Sequence, residues 1–503
     1  MTTSEPLFLA LDQGTTSSRA ILFDTAGLPV ATAQQEFRQI TPAAGVVEHD
    51  ATEIWSSQLA TARQVIGAAG ISPQAIQAIG ITNQRETTIL WDRVTGEPVA
   101  PAIVWQSRVS EPICQRLREA GHEDLIRERT GLRLDPYFSA TKIVHLLETV
   151  DGLAARCRRG EVLFGTVDSW LVWKFTAGQV HATDPSNAGR TLLYDIREGR
   201  WSEKLCEIFG VPMEILPEVR SSAGNFGVAT ADMLGCELPI CGIAGDQQSA
   251  SYGQGCLQPG DAKNTYGTGA FLLFATGPEA VVSQHGLLTT PAADDGRGPS
   301  FFLEGAIFIA GAIVSWLRDG LGIIKQASEI EPLAASVPDS DGVVLVPALA
   351  GLGTPHWDPH ARGLIIGLTR GTTAAHIARA ALESIALQVA EVVECMRRDS
   401  GIALDRLRVD GGASSNDLLM QIQADVLGVP VERPRVLETT ALGAALLAAR
   451  GAGHEAAIDT TLARQTERVF EPTTDAASRE RMLEVWREAV GRSRGWAVHT
   501  AAR

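Results

Sequence analysis

Lysine is scarce. It occurs only at positions 142, 174, 204, 263 and 325 of the 503 residues, and arginine supplies the remaining basic charge. There is no G-x-x-x-x-G-K-[ST] stretch, which excludes a P-loop nucleotide site, and no G-x-G-x-x-G, which removes the Rossmann fingerprint. Basic residues are outnumbered, 43 against 59 acidic ones, for a formal net charge of −16. A nucleic-acid binder carries a basic face, so that class is excluded; a nucleotide ligand is not. The cysteines lie scattered at 114, 157, 206, 236, 241, 256 and 395, with no C-x-x-C. An odd, dispersed set in a long chain reads as reduced core thiols of a cytoplasmic protein, and Cys236 and Cys241, the closest pair, read as structural. The opening MTTSEPLFLA lacks the basic, apolar pattern of a secretion leader. The longest apolar stretch, GAIFIAGAIVSWL at 305–317, is too short to cross a bilayer and reads as a buried helix behind a strand. No membrane insertion is expected.

What is present is ordinary for a globular protein, 45% hydrophobic and 20% charged, and long enough for at least two domains. Strand and helix signals alternate, which gives an α/β class. The most informative stretch is LFLALDQGTTSSRAILFD at 7–24: an apolar run, a carboxylate, a glycine turn lined with hydroxyls, and a second apolar run. DAKNTYGTGAFLLF at 261–274 echoes it, setting Asp12 against Thr265, Gly14 against Gly267 and Thr15 against Thr268. A strand–turn–strand unit of this kind wraps amides and hydroxyls around phosphates, and two units imply two halves gripping one nucleotide.

Asp50 is placed to cap a helix, with Glu53 completing a capping box, an apolar stripe at Ile54, Leu59, Ala62 and Ile66, and a stop at Gly70. AIQAIGIT at 75–82 is a strand, and the loop NQRET after it is a site candidate, because ligands gather at the carboxyl ends of strands in open α/β sheets. The next hundred residues read as a loop-rich elaboration. LPICGIAGDQQSA at 238–250 returns to strand, turn and helix, and a boundary is expected near 253–261. A long helix is expected from about Thr373 to Ser400, then a strand and Gly turn at RLRVDGGASSN, the strand VPVERP, the helix ALGAALLAARGAG and a helical tail.

Each candidate carries two readings. Asp12 closes an apolar strand and is either a Mg²⁺ anchor or an Asx-turn residue. Thr15, Thr16, Ser17 and Arg19 suit phosphate oxygens or make a polar hairpin turn. Asp246 follows a strand and opens a helix, as a general base or as an N-cap. Arg85 and Glu86 could hydrogen-bond two adjacent hydroxyls or form a surface ion pair. Trp105, Tyr137 and Phe271 wall a small pocket or fill core. Gly411, Gly412, Ala413 and Asn416 let a flat base approach the backbone or make a strand-to-helix turn. His356 and His360 have helical metal spacing, but Pro355 and Pro359 break the helix.

Together these stretches resemble the FGGY carbohydrate kinases. The likeness runs nearly the whole chain and is carried by ALDQGTTSSRA, IGITNQRETT, LFGTVD.WL.WK, GIAGDQQ, AKNTYGTG.F, LEGA.F.AGA, RVDGGA..N and ERP.V.E.TALGAA. The resemblance implies two actin-like ATPase (ribonuclease H-like) domains, 1–253 and 254–503, with the active site in the cleft between them. It implies ATP-dependent phosphorylation of glycerol to sn-glycerol 3-phosphate, with Mg²⁺, by a cytoplasmic homodimer or homotetramer. By motif, Asp246 resembles the base, and Arg85, Glu86, Tyr137, Asp246 and Gln247 the glycerol ligands, with Trp105 and Phe271 on the glycerol carbons. Thr15, Thr16, Ser17, Arg19, Thr268, Gly311, Gly412 and Asn416 resemble nucleotide contacts, and Asp12 and Asp246 the metal pair. Ser315 and His145 depart from the family pattern at a nucleotide-contact position and a packing position. Residues 231–239 lack the arginine and the histidine, and Ser478 stands for the glutamate, of the family's regulatory sites. The rivals are a related kinase acting on another polyol or ketose, and an actin- or chaperone-like ATPase whose ligand is a protein.

Overall fold

The structure, a computed structural model, describes residues 5–462 and 466–500. β1 (Leu7–Gln13), β2 (Ser17–Phe23) and β3 (Pro29–Glu36) form an antiparallel meander. α1 (Ala51–Ala68) carries the chain back, so β4 (Ile76–Asn83) lies parallel to β1. An insertion containing α2 (Ser139–Thr149) follows. Then β5 (Leu238–Gly245) adds parallel to β4 and runs into α3 (Asp246–Gly253). The second half repeats the plan. β6 (Ala262–Tyr266), β7 (Ala270–Gly277) and β8 (Phe301–Ile307) make the meander. α4 (Gly311–Asp319) and α5 (Ala374–Ser400) precede β9 (Leu407–Asp410), which is parallel to β6. α6 (Asp417–Leu427), β10 (Val431–Pro434) and α7 (Thr439–Gly451) complete it. The sheet orders are β3-β2-β1-β4-β5 and β8-β7-β6-β9-β10, extended by short edge strands.

The echo in the sequence is therefore an echo in the fold. Each Gly/Thr turn joins the first two strands of its sheet, closed by Gly14 N–H to Ser17 O at 3.0 Å in one and Gly267 N–H to Gly269 O at 2.9 Å in the other. Parallel neighbours bring the ends of β1, β4 and β5 to one edge and those of β6 and β9 to the facing one.

β1 is apolar from Leu7 to Leu11 because both its faces are covered. Leu7, Leu9 and Leu11 join Ile54, Ala62 and Val65 of α1 in one core, while Phe8 and Ala10 join α7 on the other side. α7 belongs to the second half of the chain yet seats on the first sheet. Its seat is lined with small residues: a Cβ on Gly80 would lie 2.0 Å from the Ala444 carbonyl oxygen, and one on Gly242 2.4 Å from the Ala448 nitrogen. The crossing of α3 over α7 is equally close, since a Cβ on Gly443 would stand 1.8 Å from the Ser249 oxygen.

Three local expectations change. Asp50 does cap α1 through the Thr52 N–H, but Glu53 pairs with Arg38 instead of closing a capping box, because the adjoining chain brings that guanidinium within 3.0 Å. Residues 305–317 are not one helix: 305–307 end β8, and α4 starts at Gly311 after a turn stapled to the β6–β7 turn. The insertion is helical rather than loop-rich, with a core of its own around Ile126, Phe138, Ile143 and Phe164. No helix among the described residues is long and apolar enough to cross a membrane.

Candidate active site

Asp246 opens α3 at the end of β5, with Gly245 before it as the N-cap, so the aspartate is not the cap its position allowed. Its carboxylate accepts the Gln247 N–H at 2.7 Å and faces Arg85 Nε at 3.2 Å, with about a third of the side chain exposed (35%). The enclosed setting raises its pKa above the ordinary value, while Arg85 and Lys263 pull it down. Gly245 is required here, because a Cβ would meet the Arg85 chain at 2.8 Å.

Arg85 and Glu86 follow β4 and are buried, which removes the surface ion pair as a reading. Glu86 has φ of 61°, a costly conformation for a non-glycine residue, and Ser139 Oγ donates to its carbonyl at 2.9 Å. Two residues that the sequence reading missed organise the pair. Arg190 Nε donates to Glu86 Oε1, and Glu304 of β8 receives both Arg85 and Arg190 in forked contacts of 2.8–3.1 Å. Glu304 stands in the apolar run FFLEGAIF, the same signal that singled out Asp12 in β1. Arg190 stands just before the apolar TLL and carries a weaker version of it.

The aromatic wall is partly assembled. Trp105 and Tyr137 meet edge to face at 5.5 Å, and Arg190 lies 5.6 Å from the Tyr137 ring. Buried Lys142 binds the Pro136 carbonyl at 2.7 Å and the Phe138 carbonyl at 3.2 Å, holding the Tyr137 loop on α2, and burial lowers its pKa to about 7. Phe271 lies half-buried in β7 opposite Thr265.

The nucleotide candidates line both turns. Trp105 Nε1 donates to Thr15 Oγ1 at 3.0 Å and Gln34 to Ser17 Oγ at 3.0 Å; Thr16 is exposed. Arg19 is paired across the seam with Glu438 at the head of α7. Thr268 sits in the second turn, where its carbonyl takes the Ala310 and Ala312 N–H groups, and Gly311 N–H binds Gly267 O. A Cβ at Gly311 would come within 2.6 Å of that oxygen. Gly412 is exposed, with nothing within 4 Å of a Cβ placed there. Asn416 caps α6 through Oδ1, so its Nδ2 is the atom left to face a ligand. The His356–His360 spacing is not helical, and His356 pairs with Glu391.

Asp12 ends β1 with no side-chain hydrogen bond or ion pair among the described residues. Burial pushes its pKa up to about 7, Arg19 opposing and Asp246 and Glu438 adding to the rise. With Arg19 favouring its charge and Asp246 and Glu438 opposing it, Asp12 could hold a cation that keeps most of its ligands as water, as Mg²⁺ does.

Residues 7–253 match the FGGY family of carbohydrate kinases, N-terminal domain, and residues 262–452 its C-terminal domain. The chain belongs to the FGGY family of carbohydrate kinases. It is an enzyme of the phosphotransferase class with the actin-like ATPase fold. Among curated FGGY relatives, a glycerol kinase of Leptothrix cholodnii is 57% identical over 487 residues (96% of this chain, 98% of the relative). One of Bordetella parapertussis is 54% identical over 500 residues (98% of each chain). The crystal structure of Plasmodium falciparum glycerol kinase with ADP superposes with a TM-score of 0.92 at 36% identity, covering 97% of this chain and 98% of that one.

Proposed function

We propose that this FGGY kinase transfers the γ-phosphoryl group of ATP to glycerol, releasing sn-glycerol 3-phosphate and ADP. The observation that carries the reading is the Arg85–Glu86–Asp246 cluster, with Arg85 and Glu86 buried and Asp246 partly exposed, near half-buried Trp105 and Tyr137 at the edge of the sheet whose hairpin holds Thr15–Ser17. A small, wholly hydroxylic substrate needs donors and acceptors close together, which a guanidinium and a carboxylate provide. The names of the relatives agree with this.

Arg85, Glu86, Tyr137 and Gln247 hold the glycerol hydroxyls, and Trp105 and Phe271 pack on its carbons. Asp246 accepts the proton of the attacking hydroxyl as that oxygen bonds to the γ-phosphorus and the bond to the β-phosphate oxygen breaks. Thr15, Thr16, Ser17, Arg19, Thr268, Gly311, Gly412 and Asn416 hold the nucleotide; Arg19 exchanges Glu438 for phosphate. Asp12 and Asp246 would hold Mg²⁺, which supplies charge neutralisation on the phosphates when bound. The halves 1–253 and 254–503 close on the substrates so that the hydroxyl, rather than water, is the acceptor. The setting is a cytoplasmic homo-oligomer.

The deciding experiment is an ADP-release assay with glycerol, dihydroxyacetone and xylulose side by side. Glycerol is expected to give the highest kcat/KM. A preference for xylulose, or ATP turnover indifferent to all three, overturns the proposal.

A further inference from the structure

We propose that Lys263 fixes which end of the Gln247 amide faces the acceptor substrate, and so acts as a positioning residue for specificity. The inference rests on the reading of Gln247 as a glycerol ligand.

Lys263 is the second residue of β6, and its side chain is fully buried. Its ammonium donates across the seam between the two halves to Gln247 Oε1 on α3, and to Thr265 Oγ1 at 2.7 Å. Burial lowers its pKa; of the charged groups around it, Asp410 of β9, Asp246 of α3 and Glu304 of β8 favour the ammonium and Arg85 opposes it, with the Cys256 thiol nearby.

The chemistry of this contact has one outcome. An ammonium has only donors, so the group that meets it is the amide oxygen, and the usual ambiguity between amide O and N does not arise. Gln247 Nε2 is then turned away from Lys263. It has no acceptor among the described residues, and Gln247 is half-buried beside Asp246. Gln247 therefore presents its N–H donors away from Lys263, toward the substrate, and recognises a hydroxyl oxygen through its lone pairs. A free amide could rotate and accept instead, which would blur discrimination between a hydroxyl and its absence. Two of the few lysines, Lys142 and Lys263, are thus buried near these residues, one holding backbone carbonyls and the other an amide.

The test compares wild type, Lys263→Met, Gln247→Ala and the double variant. The acceptors are glycerol, propylene glycol (one terminal hydroxyl missing) and trimethylene glycol (the central hydroxyl missing). Lys263→Met is expected to raise KM for glycerol about tenfold to a hundredfold, the scale of one charge-assisted hydrogen bond, with KM for ATP little changed. Gln247→Ala should do the same, and the double variant no more than either. Discrimination against the same one of the two diols should shrink equally in both single variants. Lys263→Gln keeps an N–H donor and is expected to fall between wild type and Lys263→Met; it also serves if the methionine variant does not fold. Unchanged diol discrimination in Lys263→Met beside an altered Gln247→Ala overturns the inference alone. So does a double variant whose losses multiply. An unaltered Gln247→Ala overturns the reading of Gln247 together with the inference.

Discussion

Glu304 is the carboxylate that two buried arginines, Arg85 and Arg190, share. Burial alone would raise its pKa, yet Arg190 and Arg85 together hold it at about 2, below the ordinary 4.5. A carboxylate depressed by folding contributes stability that is complete above 4.5 and fades as the pH falls toward 2. Glu304→Gln leaves two buried guanidinium groups short of their counter-charge. It is expected to cost about 3–5 kcal/mol in urea unfolding at neutral pH, and to flatten the loss of stability below the carboxylate's ordinary pKa. Unfolding within ~1 kcal/mol of wild type would show that Glu86 alone suffices for both arginines. Asp246 is a different kind of residue, partly open and facing the proposed hydroxyl. Asp246→Asn should lower kcat about 10²- to 10⁴-fold while ATP binding by calorimetry stays near wild type. Near-normal turnover would remove the base assignment.

At the scale of elements, α7 and its glycine seat decide how the halves are joined. Ala10, Gly80, Gly242 and Ala244 leave one face of the first sheet shallow, and the Ala-rich helix fills it at backbone distance. Gly80→Ala has no room to relax, because the Cβ meets main chain rather than a movable side chain. It is expected to cost at least about 1–3 kcal/mol in thermal or urea unfolding. Gly67→Ala is the matched control: it lies in α1 with nothing within 4 Å of a Cβ, and should stabilise by about 0.5–1 kcal/mol. Equal effects at the two positions would mean that α7 is not held by close packing. The helix–strand pattern of residues 431–451 was readable in the chain, but the sheet on which the helix sits was not.

At the scale of the whole molecule, ion pairs of two kinds join the halves beside the seat of α7 and the Lys263–Gln247 contact. Glu304 with Arg85 and Arg190 is buried at the base of the site, whereas Arg19–Glu438 is a partly exposed pair worth at most about 1 kcal/mol. The buried pairs hold the halves together at the base, and the exposed pair at the nucleotide turns opposes separation less. Glycerol with a non-hydrolysable ATP analogue should reduce the radius of gyration measured by small-angle scattering, and neither ligand alone should do so fully. An unchanged radius with both ligands bound would mean that the halves do not close.

The repeated plan, the paired Gly/Thr turns, the strand-end carboxylates Asp12 and Asp246 and the NQRET loop were all visible in the order of residues. Each is a local pattern: a hydrophobic period, a turn residue, a charge at the end of an apolar run. What the chain could not display was partnership. Arg190 and Glu304 lie over a hundred positions apart, and only the facing of the two sheets makes them one network. Arg85 and Glu86 read more readily as a surface pair, which burial rules out. Nothing in the 261–274 stretch marks Lys263, and only the seam between the halves sets it against Gln247. Local sequence sets backbone preference and strand or helix period within a few residues. Burial, the partner of a charge and the direction of an amide depend on groups distant in the chain, so the tertiary structure alone decides them.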